Sequence, residues 1–188
     1  MDRASEYLQL LCKIEQLGGS TMEKHQQGII DVQEKYQAVW KLKILILSWE
    51  FPPNIVGGLS RHVIGLSTQL VEQGHEVHVL TAGKSDLPPL EVMNGITVHR
   101  VRPINDNDDH FLSWIAGLNL AMAFRTEQLG EEVGFDIIHA HDWLVGAAAI
   151  SLKERLRIPL LTTIHATEHG RNNGIYTEMQ KFIHENEQ

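Results

Sequence analysis

From Leu42 onward, apolar positions fall into blocks that predict strands separated by helices. Short continuous apolar runs indicate strands, and longer stretches with apolar residues every three to four positions indicate helices. The predicted strands are residues 42–48, 76–81, 96–101, 136–140 and 159–164. The predicted helices are residues 59–73, 111–133 and 145–156, with helix again from Gly174 onward. This alternation predicts an α/β fold with a doubly wound parallel sheet.

The segments between these elements are predicted to be loops. Residues 82–95 contain Pro88-Pro89 and Asn94-Gly95, which favour turns, and residues 105–110 are acidic. Both segments are expected to connect strands and helices at the surface.

Residues 1–39 form a separate helical extension by their pattern. Apolar residues at helical spacing run from Tyr7 to Leu17, and a second stripe runs from Ile29 to Trp40. Amphipathic stripes are common, so two interpretations stay open. The functional interpretation is an interaction arm or the tail of an upstream domain, and the alternative is a solvated extension; in both, the helices are weakly held to the rest of the chain. The α/β domain is predicted to span residues 41–188.

Polar residues follow three of the predicted strands at their carboxyl ends. Ligands bind at this edge in open α/β sheets, so residues far apart in the chain are expected to converge there. The candidate residues, strand by strand, are Glu50 with Gly57 and Gly58, then His141 with Asp142, then His165 with Thr167.

The glycine pair Gly57-Gly58 lies between a strand and a helix. Such a turn can present backbone N–H groups to a phosphate or let a sugar approach the backbone. The pair is not a dinucleotide fingerprint, which needs Gly-x-Gly-x-x-Gly, and the lysine of a Walker loop is missing. The structural alternative is a tight turn that needs only flexible φ. Its place after the first strand favours a ligand.

The segment His139-Ala140-His141-Asp142-Trp143 allows three interpretations. His139 and His141 have the spacing of metal ligands, so a metal-dependent hydrolase is one of them, with His165 and His169 as further ligands if both point inward. Alternatively, these polar side chains form hydrogen bonds to the backbone at the end of the sheet, and Asp142 caps the next helix. The third interpretation is sugar binding, in which His165 can donate a hydrogen bond to a hydroxyl or carbonyl.

Composition narrows the classes of protein and partner. The 188 residues carry a net charge of −8 without a basic run, which excludes nucleic acid as the expected partner. Cys12 is the only cysteine, so no disulfide framework exists, in agreement with a cytoplasmic location. The first residues lack a signal-peptide pattern, and no apolar run of roughly 18 residues predicts a membrane span.

Three blocks of sequence resemble the N-terminal half of a GT-B retaining glycosyltransferase, and they are most similar to the glycogen and starch synthase-like enzymes. The first block is Trp49-Glu50-Phe51-Pro52-Pro53 with Gly57-Gly58-Leu59 and Arg61-His62-Val63. The others are residues 136–143 and 162–171. The resemblance extends from about Leu42 to Gln188 and implies a Rossmann-like domain, one half of a GT-B fold.

The resemblance implies transfer of a glycosyl unit, expected to be glucosyl, from a nucleotide sugar to an α-glucan or other glycan. Retention at the anomeric carbon is implied, with ADP-glucose or UDP-glucose as donor and with no metal or other cofactor. Gly57 and Gly58 would lie near the donor, and Glu50 on the acceptor side. The implied catalytic residues are His165 and Asp142, and the implied substrate contacts are Glu50, Gly57, Gly58, His141 and Thr167.

Two departures from the family pattern limit these expectations. Bacterial glycogen synthases often carry a lysine two residues before the glycine pair, where this chain has Ile55. The family's second, nucleotide-binding domain is not expected within these 188 residues, so a fragment, a split protein or a half that needs a partner domain or chain is expected, with little activity alone. A non-catalytic sugar-binding or assembly module is the other class of function left open.

Overall fold

A computed structural model describes residues 3–17, 41–84 and 86–187. The second predicted stripe of the extension, Ile29 to Trp40, lies outside the described residues. The helices are α1 (Arg3–Leu17), α2 (Gly58–Glu72), α3 (Phe111–Val133), α4 (Gly146–Leu156), α5 (Glu168–Asn172) and α6 (Glu178–Asn186). The strands are β1 (Lys43–Ser48), β2 (Glu76–Ala82), β3 (Leu90–Met93), β4 (Ile96–Val101), β5 (Ile137–His141) and β6 (Leu160–Thr163).

The six strands form one sheet in the order β3-β4-β2-β1-β5-β6, parallel except for β3. β1 is central and is apolar throughout because its side chains enter a separate core on each face. Ile44 and Ile46 pack beneath α2, whereas Leu45 and Leu47 pack against α3 and α4. The predicted α/β fold and its five parallel strands are confirmed.

The prediction of a loop over residues 82–95 is wrong for Leu90–Met93, which form the antiparallel edge strand β3. Asn94 and Gly95 join β3 to β4 with φ of 51° and 78°. Two successive positive φ values make the tight turn that connects antiparallel strands, and Asn-Gly is its strongest sequence signal. The same dipeptide therefore indicated a hairpin as well as a loop.

Helix α1 packs onto the sheet on the same side as α2. Tyr7 is completely buried in that core, and Leu10 and Leu11 pack against it. The first part of the extension therefore packs against the domain through one face of α1, whereas Leu8 and Cys12 are exposed, so it is not a wholly solvated segment. Among the described residues, no helix is both long and apolar enough to cross a membrane.

Acid should destabilise this fold through buried histidines. His78 on β2 and His99 on β4 have ring nitrogens 2.9 Å apart in the core. Burial lowers the pKa of both, and that of His99 falls from 6.5 to about 4, with smaller contributions from His78 and Arg125. The unfolded chain therefore binds more protons than the folded chain between pH 6.5 and 4. The contribution of these histidines to the free energy of unfolding is complete above pH 6.5 and declines as the pH falls through this window.

Urea unfolding at pH 7.5, 6 and 5 measures this decline as a falling midpoint. His169 is exposed, so His169→Ala should keep the full dependence. His99→Asn should make it shallower without abolishing it, because asparagine does not titrate whereas the buried rings of His139 and His141, whose pKa values are also lowered, still do. A midpoint that stays constant across the three pH values would contradict the prediction.

Candidate functional site

The carboxyl ends of β1, β5 and β6 open into one cleft of about 570 Å³. These strands are neighbours in the sheet, so the segments that follow them meet at one edge. The predicted site residues that line the cleft are Glu50, Gly57, Gly58, Asp142 and His165. His141 and Thr167 are not among its lining residues.

Glu50 folds back on the glycine turn. Its carboxylate accepts hydrogen bonds from the backbone N–H groups of Val56, Gly57 and Ser60, the last two at 3.0 and 3.1 Å. It is 2% exposed and lies at the N-terminus of α2, where a negative charge is stabilised by the helix dipole. The anion expected at this helix terminus is thus supplied by the chain, and a donor phosphate would have to displace it to reach the N–H of Gly57.

Neither glycine of the pair is required by the backbone or by packing. Neither adopts the left-handed φ that four other glycines show. A Cβ on Gly57 would meet only a Glu50 carboxylate oxygen at 3.9 Å, and a Cβ on Gly58 would have no described atom within 4 Å. The alternative of a turn that merely needs flexible φ therefore has no support. Because glycine has no side chain, open space in the cleft lies beside both residues.

Asp142 ties the end of β5 to the residue that follows β6. Its Oδ1 accepts a hydrogen bond from the backbone N–H of His165 at 2.8 Å, and its own N–H donates to the Thr163 carbonyl. Asp142 is 3% exposed with φ of 64°. The interpretation of Asp142 as a helix cap is wrong, because its side chain makes no capping bond and is turned toward His165.

Two buried histidines form a layer beneath the cleft. His139 Nδ1 lies 2.9 Å from the hydroxyl of Tyr7, and its Nε2 lies 2.8 Å from the hydroxyl of Thr163. His141 Nδ1 lies 3.0 Å from Nε2 of His165. Burial, with smaller contributions from neighbouring histidines, lowers the pKa of His139 to about 3 and that of His141 to about 2. Both rings are therefore neutral at physiological pH.

The structure does not combine His139 and His141 as metal ligands, because both ring nitrogens of His139 are engaged with hydroxyls. A different trio, His62, His141 and His165, has ring nitrogens within 4.8 Å of one another. However, the rings of His141 and His165 are tilted by only 26° with centroids 5.3 Å apart. This in-line geometry suits a proton between two nitrogens, whereas nitrogens that bind one ion must converge on it.

His62 and Arg171 are two residues that sequence reasoning placed in the matching blocks without assigning them a role. His62 lies one helical turn after Gly58, and residues four apart share a helix face. Its ring centroid is 4.7 Å from that of His165. Arg171, on α5, lines the cleft and adds a positive charge to it. The i, i+4 spacing from the glycine pair is the signal that could have found His62.

Thr167 has a local structural role. Its hydroxyl accepts a hydrogen bond from the N–H of Gly170 at 3.1 Å and caps α5, which the sequence pattern did not predict. This cap places Arg171 at the cleft. α6 begins at Glu178, four residues later than the predicted restart of helix at Gly174.

Known proteins with similar sequence are glycosyltransferases. The chain is 44% identical over 143 residues to an uncharacterised glycosyltransferase of Methanocaldococcus jannaschii, covering 76% of this chain and 36% of that protein. It is 38% identical over 151 residues to a glycogen synthase of Mycobacterium tuberculosis, covering 71% and 36%. The chain thus spans about a third of the length of these relatives.

Comparison with solved structures agrees with the comparison of sequences. A sucrose-phosphate synthase from Thermosynechococcus elongatus superposes with a TM-score of 0.64 at 16% identity, over 76% of this chain and 39% of the synthase. That likeness shows the fold, a GT-B glycosyltransferase domain. The family model described as Glycosyltransferase Family 4 matches residues 56–186, from the glycine turn through α6. The chain belongs to glycosyltransferase family 4.

Proposed function

We propose that this domain is the acceptor-side half of a retaining glycosyltransferase that moves a glucosyl unit from ADP-glucose or UDP-glucose to an α-glucan or related glycan. The likeness to a glycogen synthase supports the substrate class. The cleft is lined by backbone, two carboxylates, an imidazole and a guanidinium. This lining supports sugar and phosphate as ligands, because all of these groups can bind hydroxyls and the N–H donors can also bind phosphate oxygens.

The observation that carries this proposal is the open space above Gly57 and Gly58. Neither glycine is needed for a strained backbone conformation, and a Cβ would fit at either position. A ligand that approaches the backbone closely explains why glycine is present at both. The pair lies in the same cleft as His165 and Asp142. A sugar ring packed on the glycine turn would therefore lie within reach of an imidazole that can bind its hydroxyls.

In this proposal, the protein acts by orienting the donor and by stabilising the departing phosphate. His165 donates a hydrogen bond to the donor sugar, and Arg171 places positive charge where negative charge develops on the leaving group. Asp142 fixes the backbone of His165 and leaves its second carboxylate oxygen for a sugar hydroxyl. Glu50 is assigned to the glycine turn, since its oxygens already accept three N–H groups.

A second Rossmann-like domain, in the same polypeptide or in a partner, completes the proposed cleft. Such a domain would hold most of the nucleotide, so this half alone should bind the donor weakly and turn it over poorly. Incubation of the chain with labelled ADP-glucose or UDP-glucose and glycogen measures this directly. Rapid transfer by the chain alone would contradict the two-domain part of the proposal.

Donor binding tests the site itself. Saturation-transfer NMR with ADP-glucose and UDP-glucose should show contact through the glucose protons, and His165→Ala should weaken binding about tenfold, the value of one hydrogen bond of roughly 1.4 kcal/mol. His169→Ala is the matched control, because it removes an exposed histidine that does not line the cleft. Equal binding by all three proteins would contradict the assignment of His165. Binding of glucan together with no binding of either ADP-glucose or UDP-glucose would favour the non-catalytic module.

A further inference from the structure

We propose that His141 is a positioning residue that fixes the tautomer of His165, so that His165 presents Nδ1–H to the cleft. The effect of this tautomer on glycosyl transfer rests on the proposed function, whereas the tautomer of His165 does not depend on that function. One proton lies between the two rings.

The rings of His141 and His165 are aligned for a hydrogen bond. His141 Nδ1 and His165 Nε2 lie 3.0 Å apart, with ring planes tilted by 26° and centroids 5.3 Å apart. These values place each nitrogen near the plane of the other ring, as a hydrogen bond between imidazoles requires. One nitrogen therefore donates and the other accepts.

His141 is the donor in this hydrogen bond. His141 is completely buried, and its Nε2 has no hydrogen-bond partner among the described residues. If His165 donated, the proton of His141 would sit on that Nε2 as a buried, unpaired N–H. Orphaned buried N–H donors are rarer than unpaired acceptors, because the donor loses its hydrogen bond to water without replacement. The proton of His141 is therefore on Nδ1, and His165 Nε2 accepts it.

His141 stays uncharged near neutral pH. Burial, followed in size by the influence of His139, His165 and His62, lowers the pKa of His141 to about 2. The ring does not take up a second proton near neutral pH, so Nε2 stays a lone pair. Since neutral His165 carries one proton and its Nε2 is accepting, that proton lies on Nδ1.

Neighbouring side chains hold His141 in place. The ring of His139 lies against it, with centroids 4.2 Å apart. His139 is in turn fixed between the hydroxyls of Tyr7 on α1 and Thr163 on β6. Asp142 holds the backbone of His165. Contacts are therefore continuous from α1, outside the matched family region, to the cleft.

A fixed tautomer makes His165 selective for the kind of ligand atom that it binds. An Nδ1–H donor selects an acceptor oxygen, such as a sugar hydroxyl or a phosphate oxygen, and does not pair with a group that can only donate. We expect donor binding to depend on His141 although this side chain is sealed from the cleft.

Long-range proton–nitrogen NMR of the ¹⁵N-histidine-labelled chain, without ligand, reads the tautomer directly. The expected spectrum has His165 protonated at Nδ1 and His141 protonated at Nδ1, with assignments from His141→Asn and His165→Ala. A spectrum with His165 protonated at Nε2 would overturn the proposal. So would a bound zinc ion that leaves both facing nitrogens unprotonated.

A pair of variants then separates positioning from packing. His141→Asn can place an amide donor near the position of Nδ1 and should keep the His165 tautomer and donor affinity within a few-fold. His141→Leu fills similar space without a donor and should lose about tenfold in donor affinity while staying folded. Equal loss in both variants would overturn the proposal. An intact tautomer in a chain that binds no nucleotide sugar would instead refute the proposed function.

Discussion

Replacing Glu50 with alanine should open the glycine turn and abolish ligand binding in the cleft. The substitution leaves the N–H groups of Val56, Gly57 and Ser60 without their acceptor. Bonds to a charged group contribute about 1.5–3 kcal/mol each and do not add fully, so we expect a loss on the order of 3 kcal/mol in the free energy of unfolding. Urea unfolding measures the loss, and hydrogen exchange at Ser60 should report opening of the turn.

Two variants control this experiment. Glu50→Gln keeps a carbonyl oxygen as acceptor and should lose less stability than Glu50→Ala. Glu72→Ala removes an exposed carboxylate from the other end of α2 and should change stability by no more than about 0.5 kcal/mol. Unchanged stability and unchanged Ser60 exchange in Glu50→Ala would show that Glu50 does not hold the turn.

Tyr7→Ala should have an effect of similar or greater size, although Tyr7 lies far from the cleft in sequence. Its side chain is completely buried, and its hydroxyl bonds His139 across a separation of 132 residues. Removing a buried aromatic side chain costs about 3–5 kcal/mol, and His139 also loses a partner. Thermal unfolding should show a large fall in the melting temperature, with weaker donor binding because the histidine layer loses its support.

The neighbouring residue provides the control. Leu8→Ala changes a side chain on the same helix that is 48% exposed and should have little effect on stability. Tyr7→Phe keeps the ring and removes only the hydroxyl, so it should cost about 1 kcal/mol. If Tyr7→Ala were as stable as Leu8→Ala, α1 would not be part of the folded domain.

Periodicity predicted the sheet because buried parallel strands are apolar on both faces and their helices show a clear 3.6-residue pattern. The rule that ligands bind at strand carboxyl ends then brought Glu50, Asp142 and His165 together correctly. These features depend on local pattern and on topology. The edge strand Leu90–Met93 was missed because it is short and exposed, and turn residues flank it.

The directions of individual side chains could not be predicted in this way. Glu50 turns back to its own loop and Asp142 turns toward β6, and each choice depends on a backbone conformation that the residue types do not specify. The contact between Tyr7 and His139 depends on where α1 docks, which an amphipathic stripe leaves open. The candidate cleft could therefore be located from sequence, whereas the direction and contacts of each side chain required the structure.

The central claim is that a ligand fills the space left by Gly57 and Gly58. Donor binding by Gly58→Ala, measured by saturation-transfer NMR beside the melting temperature, tests it most directly. A Cβ at Gly58 meets nothing in the described chain, so stability should stay the same or rise by about 0.4–1 kcal/mol. Nucleotide-sugar binding should fall at least tenfold relative to the unsubstituted chain. Full binding by a stable Gly58→Ala variant would contradict the account.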